Sequence, residues 1–218
     1  MNLLDTIKRS LILFFLGLPL IMMVVIFFLG LGLGNAGLLF LSAGQLLLVP
    51  AAVAGLHFAS EFLGDYAKLP YSDILQLVPS QPVSSATVNI NVWPSHWMAH
   101  FAFLSSYIIS NAIDVYRLDP VSDSEEYSIK VLSRKSRATI IITFSVMFFL
   151  VLSAIRYAYT GSEHIIGAFI GATVFGLLGW GWYTASATLG IRTMDIFGIA
   201  QQMVVTQDPT KPTTCISA

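Results

Sequence analysis

Long apolar segments separated by shorter polar ones make up most of the chain. Five of these segments approach or exceed the roughly 20 predominantly apolar residues that an α-helix needs to cross a bilayer. They are residues 11–33, 38–58, 96–113, 139–157 and 165–189. Backbone groups in hydrocarbon must form hydrogen bonds within the protein, and no pattern of strands and turns suggests a closed barrel. The pattern therefore predicts an all-α fold, a polytopic transmembrane helix bundle of about five spans in one membrane domain, 1–218.

Polar connections separate the predicted spans. Residues 63–95 are rich in proline, serine and asparagine without helical periodicity, which is typical of a loop. Residues 114–138 are strongly charged, and a polar tail follows at 206–218. The apolar run at 11–33 is longer than the roughly 7–15 residues of a signal-peptide core, so we expect a retained anchor rather than a cleaved signal.

The composition indicates that much of the protein surface faces a lipid bilayer. Hydrophobic residues make up 56% of the 218-residue chain and charged residues only 11%, against about 25% charged residues in typical soluble domains. The net charge of -1 does not indicate a nucleic-acid partner. The single cysteine, Cys215, excludes a disulfide within the chain.

Basic residues predict the orientation, because they accumulate in cytoplasmic loops. Five spans place four of them on the side of the N-terminus: Lys8, Arg9, Lys68 and Arg156. Seven lie on the other side: Arg117, Lys130, Arg134, Lys135, Arg137, Arg192 and Lys211. Loop 114–138 and the C-terminus are therefore expected in the cytoplasm, and the N-terminus on the opposite side of a multi-pass protein.

The same topology brings the histidines of the chain to one end of the bundle. The four are His57, His96, His100 and His164. Arg156 and Glu163 fall at this end too. Ionisable groups at membrane depth are costly and tend to face an interior or a wet cavity. This end is therefore the candidate site.

His96 and His100 open the third predicted span, and Ser95 precedes them as a helix N-cap. Residues four apart lie on one face of a helix. The pair is suited to binding an anion at the helix N-terminus or to ligating a metal. In the simplest alternative, two interfacial histidines lie at headgroup depth beside tryptophans. A metal or haem site would use the four histidines together.

Polar residues inside the predicted spans are too few to define a transport pathway. Those considered are Gln45, Ser105, Ser106 and Asn111. We interpret them as interhelical hydrogen bonds. In the last span a small-residue face allows helices to approach closely; it is formed by Gly167 and Gly171 and by Ala168, Ala172 and Gly176.

Over roughly residues 80–180, the order of motifs resembles the type 2 phosphatidic acid phosphatase (PAP2) superfamily. Pro94-Ser95-His96 opens one span, as Pro-Ser-Gly-His does in the family, and the Arg156 to His164 segment lies between the next two spans. The resemblance implies that His164 is a nucleophile that forms a phosphohistidine. It also implies that His96 protonates the leaving alcohol and that Arg156 neutralises charge on the phosphate.

The same resemblance suggests substrate-binding positions, for which Ser95, His100 and Glu163 are the candidates, with no metal and no cofactor. Several motif positions differ from the family. Gln81 stands where the family has arginine, and seven residues separate Arg156 from His164 instead of five. Aligned from the last span, Glu163 takes the aspartate position and Tyr159 that of the nucleophile.

These departures favour a structural or accessory component of a larger membrane assembly that retains a degenerate PAP2-like core, with the lipid bilayer and other membrane protein subunits as partners. A membrane lipid phosphatase or phosphotransferase is the first alternative. A histidine-based metal or haem site is the second.

Overall fold

The structure, a computed structural model, describes residues 3–62, 95–118, 125–157, 165–190 and 196–197, although some side chains near helix ends, that of His57 included, fall outside the description. All regular secondary structure in these ranges is helical. The elements are α1 (Leu3–Gly32), α2 (Ala36–Ala43), a π-helical segment (Gly44–Leu48), α3 (Val49–Phe62), α4 (His96–Arg117), α5 (Glu125–Ile155) and α6 (Ile165–Ala187).

The all-α prediction is confirmed for the described residues. Helix α2, the π-helical segment and α3 follow one another without a break, so they form one rod. The described residues therefore contain five helical rods, and each predicted apolar span falls on one of them.

A tight turn joins α1 to α2. Gly34 has a φ of 60°, which glycine adopts without the strain that a Cβ would introduce. Asn35 then caps α2, because its side-chain oxygen accepts a hydrogen bond from the Leu38 backbone N–H at 3.1 Å. Its amide nitrogen also donates to the carbonyl oxygen of Ile196 at 3.0 Å. One side chain thus stabilises the turn and holds a segment that follows α6.

The π-helical segment ends two residues before Pro50. Proline has no backbone N–H and its ring crowds the preceding turn, so a regular α-helical hydrogen-bond ladder is interrupted there. The Val49 N–H instead bonds the Gly44 carbonyl, five residues back. Gly44 faces the Trp182 indole and the Phe103 ring closely enough that a Cβ would collide with both. The segment thereby allows this rod to approach α4 and α6.

The directions of the last three rods follow from their contacts. Helices α4 and α5 are antiparallel, because Ser153 bonds Met98 near one end and Arg134 bonds the Leu118 carbonyl near the other. Helices α4 and α6 run the same way, since Phe103 lies against Gly179 and the Tyr107 ring meets the Tyr183 ring edge-on at 5.3 Å.

Helix α4 lies at the centre of the molecule. Fourteen of its 22 residues are buried, and it contacts α5, α6, α3 and α1. The closest approach is to α6, where Gly179 lies directly on the Phe103 backbone. Side chains from the other rods complete the core around Phe103 and Tyr107, including Leu41, Val53 and Phe175.

Two helical stretches among the described residues are long and apolar enough to cross a membrane. They are Ala36–Leu56 and Val131–Ile155, of which 39% and 17% are buried within the molecule. Val131–Ile155 belongs to α5. Most of its apolar surface therefore lies on the outside.

Helices α4 and α5 extend beyond the apolar runs that predicted them. Helix α4 continues to Arg117 and α5 begins at Glu125, so much of the segment 114–138, interpreted above as a polar connection, is helical. The difference arises because charged side chains propagate a helix as well as apolar ones do when they can reach water. Ser95 belongs to the described residues, whereas the rest of loop 63–95 and the tail 206–218 lie outside them.

Candidate functional site

The candidate site begins at the first turn of α4. Ser95 has extended backbone angles (φ −68°, ψ 156°), and its side chain accepts a hydrogen bond from the Met98 N–H at 3.1 Å. This geometry satisfies one of the N–H groups left without a partner at a helix start. Ser95 therefore acts as the helix cap that the sequence predicts.

His96 and His100 stack on one face of this turn. Their ring centroids lie 5.6 Å apart and the rings are inclined by 17°, as expected for residues four apart on a helix. His100 is only 2% exposed. Neither of its ring nitrogens has a hydrogen-bond partner within the described part of the chain. Its backbone carbonyl accepts a hydrogen bond from the Gln45 side chain at 3.2 Å.

Trp97, which follows His96, connects this turn to two other rods. Its indole N–H donates to the Phe15 carbonyl of α1 at 2.9 Å, and its ring tilts against Phe101 at 4.3 Å. The Arg156 guanidinium lies over the same indole, 5.2 Å from the ring centroid. A cation over a tryptophan face is attracted by the ring quadrupole.

Arg156 stands at the end of α5, where Arg156 and Tyr157 continue the helix in a π-helical conformation. It is 6% exposed. The fold therefore brings the Arg156 side chain to the first turn of α4, 59 positions away along the chain from Trp97. A buried guanidinium close to a helix N-terminus makes this part of the molecule favourable for negatively charged groups.

The remaining predicted site residues lie outside the described part. These are His164 and Glu163, together with the side chain of His57. The grouping of all four histidines and the proposed nucleophile therefore stay predictions. Within the described residues, no group of three or more histidine, cysteine, aspartate or glutamate side chains is arranged to hold a metal ion.

The interior polar residues behave in two different ways. Gln45 and Ser106 form the interhelical hydrogen bonds predicted for them, Gln45 to His100 as above and Ser106 to the Gly176 carbonyl at 2.6 Å. Asn111 departs from that prediction. It is 1% exposed, and its amide oxygen and nitrogen have no hydrogen-bond partner among the described residues.

Sequence reasoning missed Trp97 as a site residue, because it treats the tryptophans beside the histidines only as interfacial aromatics. A tryptophan next to a candidate histidine is a possible surface for a cation.

Comparison of the chain with protein-family models, with characterised protein sequences and with solved structures finds no match.

Proposed function

We propose that the chain is an integral membrane protein with five spans that acts as a structural or accessory component of a larger membrane assembly. The observation that carries the proposal is the exposed apolar surface of α5. Ile140, Phe144, Met147 and Leu150 are 64%, 65%, 55% and 55% exposed. Water would disfavour a continuous apolar surface of this kind, whereas lipid or another apolar protein would stabilise it.

The interior of the molecule supports the same proposal. The enclosed helix α4 carries His100, Ser105, Ser110 and Asn111 among its buried residues. A water-soluble domain has the reverse arrangement, with its most apolar helix faces inward. In a bilayer, polar side chains face other helices because hydrocarbon offers them no hydrogen bonds.

An exposed strip on α6 supports a protein partner in addition to lipid. Its residues follow one another at intervals of four along the helix and are all exposed: Leu177, Gly181 and Ala185. A Cβ added at Gly181 would meet no atom within 4 Å. Small residues on the outside of a membrane helix allow the backbone of another helix to approach closely. We name these three residues the α6 strip.

Photo-crosslinking in the native membrane tests the partner proposal. A photoreactive amino acid at Leu177, which is 62% exposed, is expected to form an adduct of one defined protein mass. The same amino acid at Leu178, whose side chain packs against the core, is the matched control and should give no intermolecular adduct.

A second variant pair tests the α6 strip itself. Gly181→Leu should remove the adduct, because the larger side chain prevents close approach. Gly55→Leu, at another exposed glycine with open space around it, should leave the adduct intact. Adducts with lipid alone at Leu177 would contradict the partner proposal while leaving the membrane location untouched.

A lipid phosphatase is the second candidate. The observation that favours it is the position of Arg156 over Trp97, beside the first turn of α4. A phosphate monoester bound there would meet a guanidinium and the positive end of a helix. In this reaction His164 would attack phosphorus to form a phosphohistidine, and His96 would donate a proton to the departing alcohol oxygen.

Phosphate release from phosphatidic acid in the presence of EDTA tests the second candidate. His164→Ala should abolish the release and Arg156→Lys should reduce it strongly, because lysine cannot form the bidentate contact. Arg134→Lys is a matched control, since this buried arginine bonds the Leu118 carbonyl at the other end of α4. No release from any of several lipid phosphates would exclude the activity.

A further inference from the structure

Basic side chains from two helices lie at the end of the bundle opposite the histidines. Three of them are exposed, and we name them the basic cluster: Arg117 at the end of α4, and Lys135 and Arg137 on α5. Contacts on both sides of Arg117 join the two helices here. The Lys135 ammonium nitrogen lies 5.3 Å from the centroid of the Tyr116 ring, and the buried Arg134 donates to the Leu118 carbonyl. Positive charges from α4 and α5 are therefore concentrated at one end of this helix pair.

The apolar outer surface of α5 indicates how deep the basic cluster lies in a bilayer. Arg137 and Arg156 are 19 positions apart on this rod, which corresponds to about 28 Å at the rise of an α-helix. That length matches the roughly 30 Å of hydrocarbon in a bilayer. Between the two arginines lie four exposed apolar side chains, Ile140, Phe144, Met147 and Leu150. When lipid surrounds these side chains, the basic cluster lies at the depth of the headgroups.

Exposed tyrosines fit the same depth. Tyr116 lies beside the basic cluster and is 41% exposed, and Tyr157 is 55% exposed at the opposite end of α5. Tyrosine is enriched at both membrane–water interfaces, because its ring is apolar and its hydroxyl group is polar. The aromatic residues and the charges therefore indicate the same level for the membrane surface.

Negative charges among the described positions do not balance the basic cluster. Glu125 and Glu126 begin α5, at least nine positions before Lys135. That separation is about 13 Å along the helix, longer than the screening length of about 8 Å at physiological salt. The one carboxylate that remains in the described parts of α4 and α5 belongs to Asp114, which is partly buried. This end of the helix pair therefore has an excess of positive charge.

An anionic phospholipid fits both properties of this surface. Its phosphate offers negative charge and oxygens that a guanidinium can bind in a bidentate manner, and its acyl chains can cover the apolar side chains of α5. A soluble anion would leave those side chains uncovered, and a zwitterionic lipid has no net charge. Each basic residue near a membrane surface strengthens the attraction of anionic lipid by about fivefold. The cytoplasmic leaflet, on which the basic loops are expected, carries such lipids.

We propose that the basic cluster binds the headgroup of an anionic phospholipid, whose acyl chains lie against the exposed side chains of α5. The proposal rests on the membrane location proposed above, but not on a partner protein or on phosphatase activity. Its consequence is that the chain retains anionic lipid in preference to neutral lipid at this end of the bundle.

Native mass spectrometry of the purified full-length chain tests the proposal. The chain in detergent micelles is titrated with phosphatidylglycerol or with phosphatidylcholine that has the same acyl chains. We expect the first phosphatidylglycerol to bind at least about tenfold more tightly than the first phosphatidylcholine. Lys135→Gln combined with Arg137→Gln should reduce this preference at least about fivefold. Ser136→Gln is the matched control, because it changes an exposed neutral side chain between the same two residues and should leave the preference intact.

Equal binding of the two lipids by the wild-type chain would overturn the proposal. A preference that survives the double substitution, or that is lost in Arg156→Gln at the other end of α5, would place the lipid elsewhere and would equally contradict it. Displacement of the lipid by inorganic phosphate at an equal concentration would show that the cluster recognises phosphate alone. Failure of the chain to enter vesicles of either lipid would contradict the membrane location and the lipid site together, whereas equal binding contradicts the lipid site alone.

Discussion

Helices α4 and α5 lie side by side, and the burial of their polar and apolar residues is the reverse of what a water-soluble protein shows. Helix α4 carries histidine, serine, asparagine and aspartate, yet 14 of its residues are buried. The Val131–Ile155 stretch of α5 is long and apolar enough to cross a membrane, yet only 17% of it is buried. The helix with polar side chains along its middle is therefore enclosed, whereas the long apolar stretch of α5 lies on the outside.

The comparison indicates which surroundings, water or hydrocarbon, suit the exposed surface of α5. Apolar side chains are driven together by water, so an apolar helix next to water should bury one face. Helix α5 buries little more than Ala138, Ser145 and Leu152 along its apolar part. Such a helix is stable where hydrocarbon surrounds it, because lipid tails interact with leucine and phenylalanine as well as a protein core does.

A charge on the outside of α5 gives the largest expected effect. Met147→Arg, at a 55% exposed position in the apolar part of the helix, should cost about 2–3 kcal/mol of insertion free energy if lipid surrounds it. The measurement is the fraction of chain that resists alkaline extraction from membranes.

Ile129→Arg is the control for that experiment, because Ile129 is 66% exposed near the charged start of the same helix. Ile129→Arg should change the insertion free energy by less than about 0.5 kcal/mol. Equal, small effects at both positions would mean that α5 faces water, and the contrast between the two helices would then lose its physical basis.

A substitution at the contact of α4 with α6 should have the next largest effect, a loss of unfolding free energy. Gly179→Ala places a Cβ against the Phe103 carbonyl, and we expect a loss of about 1–3 kcal/mol because backbone cannot move aside easily. The measurement is unfolding in mixed micelles. Gly181→Ala, two residues further along and open to the outside, should be nearly neutral. Similar losses for both variants would show that α4 is not held tightly by α6.

The smallest effect concerns the polar interior of α4. Gln45→Met keeps the volume of the side chain but removes its hydrogen bond to the His100 carbonyl. Hydrogen bonds between membrane helices contribute about 0.6 kcal/mol on average, so a loss of that order is expected in the same unfolding assay. Thr173→Val, which removes a bond within exposed α6 to the Phe169 carbonyl, should have a smaller effect. The reverse order would contradict the importance of the interior contact.

Much of the helical architecture could be predicted from the chain alone. Each apolar run is long enough to specify a helix, and Ser95 and Asn35 are residues of the type that caps one. The ends of α4 and α5 were predicted less well, because the helices continue into charged residues. Asp114, for example, lies in α4 and not in a loop.

The candidate site was predictable in part. The pairing of His96 with His100 follows from helical spacing, and the structure has their rings stacked. The position of Arg156 over Trp97 depends on the directions of α4 and α5 and on the rotation of each helix about its axis. A pattern of hydropathy alone does not specify that rotation.

The sequence by itself determined that the described residues are helical, roughly where each helix lies and that Ser95 caps α4, because apolar length and local caps are properties of contiguous residues. Only the tertiary structure decided that α4 is enclosed, that Gly44 and Gly179 mark the close approaches, and that Asn111 has no hydrogen-bond partner among the described residues. The physical reason is that a helix apolar on every side has no preferred inward face. Shape complementarity between helices then selects the contacts, and shape depends on residues far apart in the chain.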